Sequence, residues 1–134
     1  MKKIIAIIAV IALMAVLGTV LFACVPANAD KAKAKLEKAG YTVSVEDIDA
    51  DMAKLAKMDG AQKSIEAYKE AEKEEDSEYV MAILFDSAKN AKAYFNDNKD
   101  DIKKMGEDVE DFEYGQSGKW VYGGTKAAVK AFKK

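Results

Sequence analysis

From Ile4 to Phe22 the chain is apolar without interruption, and no later apolar stretch is longer than a strand. Lys2 and Lys3 stand in front of the run, giving the positive start and hydrophobic core of an export signal. Lysines are retained on the cytoplasmic side, so the domain that follows is expected outside the cytoplasm. A simple signal core has about 7 to 15 residues and a membrane-spanning helix about 20, and this run lies at the boundary between them.

After the leader the pattern changes to short alternating and helical segments. Asp30 to Ala39 is rich in good helix formers and predicts a short helix capped by Asp30, with Ala32, Leu36 and Ala39 on its apolar side and Gly40 at its end. Tyr41, Val43 and Val45 alternate with Thr42, Ser44 and Glu46, which predicts a half-buried strand. Asp47 and Asp49 supply caps for a helix carrying Ile48, Met52, Leu55 and Met58 at helical spacing and closed by Gly60. Ser64 to Ala71 has helical propensity but no coherent stripe, and it is read as a hairpin strand before the charged turn Glu72 to Glu78.

Tyr79 to Phe85 is apolar on both sides, which predicts a central strand covered on both faces. From Ser87 to Met105, Ala88, Ala91, Phe95, Ile102 and Met105 recur in steps that suit the longest helix, ended by Gly106. Val109 to Tyr114 and Lys119 to Tyr122 flank Gly115-Gln116-Ser117-Gly118 and predict a hairpin. Gly123-Gly124 is expected to break its second arm, and Thr125 to cap a last helix with Ala128, Val129 and Phe132 inward.

Read from Tyr41, the order is β-α-β-β-α-β. It predicts an α+β fold of ferredoxin-like type, an antiparallel sheet with the two main helices on one face, extended by an N-terminal helix and a C-terminal strand and helix. The terminal helices are expected to cover the second face around Val80, Ala82 and Leu84, a task that otherwise falls to another subunit. Residues 1–25 form the signal or anchor and 26–134 a single domain, since about 110 residues suffice for one core and not for two.

Three fates of the leader fit the residues. Leu21-Phe22-Ala23-Cys24 reads as a lipobox with Cys24 as the lipidated residue, Phe22 being bulkier than usual at its position. Ala27-Asn28-Ala29 reads as an ordinary signal-peptidase site preceded by the helix-breaking Pro26, which would release the domain after Ala29. Left uncut, Ile4 to about Val25 remains as a spanning anchor. The first two differ over Cys24, the single cysteine, which excludes an intramolecular disulfide. The first and third keep the domain at the cell membrane on its extracytoplasmic side.

Composition narrows the chemistry. All 21 basic residues are lysine; removing Lys2 and Lys3 leaves 19 against 23 acids, a net charge of −4. Without histidine there is no serine-histidine-aspartate triad, no imidazole ligand and no side chain that ordinarily titrates near neutrality. Without arginine, and with acid in excess, the chain lacks the basic face that nucleic acid requires, so no nucleic-acid partner is expected.

LFACVP, KAKAKLEKAGYTV, YVMAILFDSAKNAKAYF and SGKWVYGGTKAAVKAF together resemble small, uncharacterised lipoprotein-like exported proteins of clostridium-type Gram-positive bacteria. The resemblance covers nearly the whole chain and implies a membrane-attached exported domain. It brings no activity and no site residues.

Glu74-Glu75-Asp76 with Glu78 could gather a cation but lacks EF-hand spacing, and reads as a solvated hairpin tip. Asn96-Asp97-Asn98 with Asp100 and Asp101 lies on a helix that splays its oxygens. The Gly115 to Gly124 stretch matches neither phosphate-loop pattern. Phe112, Tyr114, Trp120 and Tyr122 are carried forward as an aromatic ligand or dimer face, with core packing as the plain alternative. No catalytic residue, metal ligand or cofactor is assigned. The expected function is a membrane-attached extracytoplasmic domain that binds a protein partner, a second copy of itself or a small ligand. The alternative is a small enzyme or ligand-processing domain using tyrosines and carboxylates, which requires a concave pocket holding an acid with a shifted pKa.

Overall fold

The computed structural model describes residues 25–133. The elements are α1 (Ala29–Lys38), β1 (Thr42–Asp47), α2 (Ala50–Leu55), β2 (Ala61–Lys69), a 3₁₀ turn (Glu74–Asp76), β3 (Glu78–Phe85), α3 (Ala88–Met105), β4 (Phe112–Ser117), β5 (Trp120–Thr125) and α4 (Lys126–Lys133). The leader and Cys24 lie outside the described residues, and no helix among these is long and apolar enough to cross a membrane.

The strands form one antiparallel sheet in the order β1-β2-β3-β5-β4. The fold is therefore α+β, but the ferredoxin-like order is not adopted. A split unit at the N-terminal half needs a helix that carries the chain back along the sheet, and α2, with six residues, is only about 9 Å long against about 30 Å for the nine-residue β2. So β1 and β2 pair directly as antiparallel neighbours, and α2 sits in their connection. The C-terminal half does cross over. The 18-residue α3 spans about 27 Å and returns β4 in the direction of β3, with β5 inserted between them.

Both sheet faces are covered. On one, α1 and α4 pack Ala32, Leu36, Val129 and Phe132 over Ile65, Val80, Leu84 and Trp120, as expected of the terminal helices. On the other, α2 and α3 pack Ala53, Phe95 and Ile102 over Met81, Phe85 and Val121. Trp120 joins the start of the domain to its core: its Nε1 donates to the Pro26 carbonyl at 2.8 Å, and its ring meets Phe132 edge-on at 5.2 Å. Val25, placed in the leader by the expected boundary, packs against the same cluster.

Several local expectations are corrected. Asn28, not Asp30, caps α1, accepting from the Lys31 amide at 2.8 Å. The apolar stripe read from Ile48 to Met58 is not the buried side of α2; Ala53 docks it, while Met52 and Leu55 remain 60 % and 78 % exposed. The hairpin turn lies at Gly118-Lys119, where Gly118 takes φ +57°, so both arms run further along the chain than expected. Gly123 and Gly124 do not end β5 but pair with Met81 and Val80. A Cβ on Gly124 would lie 2.2 Å from the Tyr79 carbonyl oxygen, so the strands approach as closely as they do only because glycine stands there. Thr125, the last residue of β5, ties its hydroxyl to β3: it accepts from the Tyr79 amide at 3.2 Å and donates to the Tyr79 carbonyl at 3.3 Å.

Candidate functional site

Alternation along β1 and β2 sends Val43, Val45, Ile65 and Ala67 into the core beneath α1, so Thr42, Ser44, Glu66 and Tyr68 stand on the opposite face. There the register aligns Ser44, Glu66 and Met81 in one row and Thr42, Tyr68 and Tyr79 in the next. The short α2 covers one end of this face and α3 covers the β3, β5 and β4 side. The remaining corner is a recess of about 170 Å³ lined by Thr42, Ser44, Glu66, Tyr68, Tyr79 and Met81. At about 30 Å³ per water this is the room of five or six water molecules, enough for a small polar ligand.

Glu66 supplies the recess with charge. Partial burial raises its carboxyl above the ordinary range, and the neighbouring charge of Glu46 adds to the effect. The lysines on the same strand are engaged elsewhere: Lys63 with Asp47, and Lys69 with the Ala39 carbonyl at 3.3 Å and the Tyr41 ring at 5.3 Å. Tyr79 is 4 % exposed, and its hydroxyl is buried without a hydrogen-bond partner. Burial also pushes its ionisation upward, so the phenol stays protonated at neutral pH and can donate but not abstract a proton. Nearby, Tyr41 donates to Glu78 and is likewise pushed up, by burial first and by Glu78 second.

A second concavity, of about 460 Å³, lies between α1 and α4, with Lys35, Lys38 and Lys130 around Ala39, Ala127 and Ala131. These helices carry seven lysines against Asp30 and Glu37, a local +5 in an otherwise acidic domain.

The four aromatic residues singled out from sequence do not form one face. Phe112 and Tyr114 stack at 5.7 Å, half-buried on the crossover side, while Trp120 and Tyr122 are core on the terminal-helix side. The two hairpin arms pair with Tyr114 opposite Gly123 and Tyr122 opposite Gly115, so the two aromatic pairs point to opposite faces. Of the acidic clusters, Glu74–Asp76 forms the 3₁₀ turn and Asn96 to Asp101 lies on α3; among the described residues no group of three or more potential ligands is placed to hold a metal.

Glu66, Tyr68 and Tyr79 were not singled out from sequence. The available signal was the pairing of two strand patterns, since Glu66 and Tyr68 fall on the side opposite Ile65 and Ala67 once Ser64 to Ala71 is read as a strand. No protein-family model, curated protein or solved structure matches the chain.

Proposed function

We propose that the chain is a membrane-attached extracytoplasmic binding domain, held at the membrane as a lipoprotein through Cys24, that takes a small organic ammonium compound in the recess on β1, β2 and β3. The observation that carries the reading is a half-buried carboxylate, Glu66, one row from the paired Tyr68 and Tyr79 and without a lysine in the recess to balance it, in a chain where lysine is abundant. A carboxylate and aromatic walls attract the same kind of ligand, an ammonium group, through charge and through the ring faces. The protonated Tyr79 phenol and a single raised carboxyl supply hydrogen bonds and charge but no nucleophile with its base, which favours binding over ligand processing.

The test is calorimetric titration of the full chain in maltoside micelles with choline chloride, and with ethanolamine as the primary-amine probe. Saturable binding to one of them that Glu66→Gln abolishes supports the reading. Heats that are the same for wild type and Glu66→Gln overturn it.

The lysine layer on α1 and α4 favours a second reading, an acidic segment of a partner protein docked over Lys35, Lys38 and Lys130. A fluorescent octaglutamate peptide should then bind the full chain with an affinity that falls with added salt and is lost in Lys35→Glu/Lys130→Glu. Binding unchanged in that double variant would remove this reading.

A further inference from the structure

We propose that the end of the sheet at which the leader enters the fold rests on the membrane, with Met52 and Leu55 of α2 seated in the lipid interface. The proposal rests on the reading that the leader keeps the chain at the membrane.

The strand register defines this end. β1 finishes there at Asp47 opposite Lys63, β2 begins at Ala61 opposite Phe85, and β5 begins at Trp120 opposite Leu84 and Ser117. Trp120 fixes the Pro26 carbonyl, and Val25 lies against Gly118 in the adjoining turn. The point where the leader joins the domain is therefore held to this end of the sheet. A lipid on Cys24 is one residue from Val25, and with the leader uncut Phe22, the last residue of the apolar run, is three residues away, so a fully extended link spans at most about 11 Å. The polar layer on each side of a bilayer's hydrocarbon core is about 5 to 8 Å deep. Either attachment thus brings this end of the domain into or next to the headgroups.

α2 occupies the same end, because it links β1 to β2. From β5 to β2 is two strand spacings, about 10 Å, so α2, on the opposite face of the sheet from Val25 and Trp120, stands at the same end as the leader junction. Met52 and Leu55 are the large apolar side chains left exposed among the described residues. They stand three positions apart on one helix and so share a side. Their helix docks through Ala53 alone, which leaves the more apolar side facing away from the protein. Asp49, Asp51 and Asp59 outnumber Lys54 and Lys57 by one around the pair, so the contact is apolar and does not call for anionic lipid.

The experiment uses the full chain reconstituted in phosphatidylcholine vesicles containing a diazirine-bearing phosphatidylcholine, with flotation followed by illumination and peptide mapping. Protein that floats should carry carbene adducts on residues 50–58 at about ten times the yield on the β2–β3 turn, a ratio equivalent to about 1.4 kcal/mol. Met52→Ser/Leu55→Ser, both changes being at exposed positions, should float equally and lose those adducts. Floating protein with adducts confined to residues 1–24 overturns the membrane seat while leaving attachment intact. Adducts on 50–58 that persist in the double serine variant overturn it as well. Protein that does not float overturns both readings together.

Discussion

Tyr79→Phe removes one oxygen atom and should stabilise the domain. The hydroxyl is buried and unpartnered, and the side chain has little freedom to seek a partner. Its backbone amide and carbonyl are both tied to the Thr125 hydroxyl, and its strand register sets it opposite Tyr68. A buried polar group that gave up water without gaining a hydrogen bond costs about 1 to 3 kcal/mol, and phenylalanine keeps the ring while removing that cost. A gain of about 1 to 2 kcal/mol corresponds to a rise in Tm of about 4 to 10 °C for a domain of this size. The assay is urea and thermal unfolding followed by fluorescence of Trp120, the only tryptophan. An unchanged urea dependence with a higher midpoint is the expected result. A loss of about 1 kcal/mol or more would show that the hydroxyl is hydrogen-bonded in the folded protein and refute the reasoning. Since an aromatic ring attracts an ammonium group and phenylalanine keeps that ring, the same variant should keep its choline affinity within about twofold.

Three further outcomes follow from the packing. Gly124→Ala places a methyl group against the Tyr79 carbonyl and the Val80 Cα, both backbone atoms that cannot step aside, and should cost about 3 kcal/mol in urea unfolding; a cost below about 0.5 kcal/mol would contradict the close approach of β3 and β5. Trp120→Phe keeps an aromatic ring but strands the Pro26 carbonyl, and should cost about 1 to 3 kcal/mol by circular dichroism melting, whereas a neutral result would show that the bond does not hold the start of the domain. Alkaline pH should unfold the domain. Burial, then the charge of Glu113, pushes Tyr122 up to about 12 from 10.0, and Tyr41, Tyr79, Tyr94 and Tyr114 move in the same direction. The folded state holds phenolic protons that the unfolded chain releases, so stability is complete below pH 10 and falls as pH rises from 10 towards 12. A pH series of urea midpoints that stays flat or rises across that window would contradict the burial of these rings.

The elements were legible where a single segment carries its own pattern. Tyr79 to Phe85, apolar on both sides, could only be a strand covered twice, and Ala91, Phe95 and Ile102 define the buried side of α3 from spacing alone. What the pattern could not supply was pairing. Strand order depends on whether a connection is long enough to cross the sheet, and the segment from Ile48 to Met58 reads as a longer helix than the six residues that form. Gly123-Gly124 reads as a strand break because glycine is poor in strands, yet here the absence of a side chain lets two backbones meet. The recess was hidden for the same reason: Ser44, Glu66 and Met81 are far apart in sequence and become a row only through register. The aromatic quartet looked like one surface because alternation shows which residues share a face within an arm but not which face the facing arm presents.

The central claim is that Glu66 awaits a cation. The most direct measurement is the titration of its carboxyl by carbon-detected NMR on the full chain, with and without saturating choline chloride or ethanolamine. Alone, the carboxyl should titrate above the ordinary value of 4.5, because burial and Glu46 disfavour its charge. With the ammonium compound bound, the account predicts a shift back downward, and a binding affinity that weakens as pH falls through the same range. A Glu66 titration that neither probe moves would contradict it.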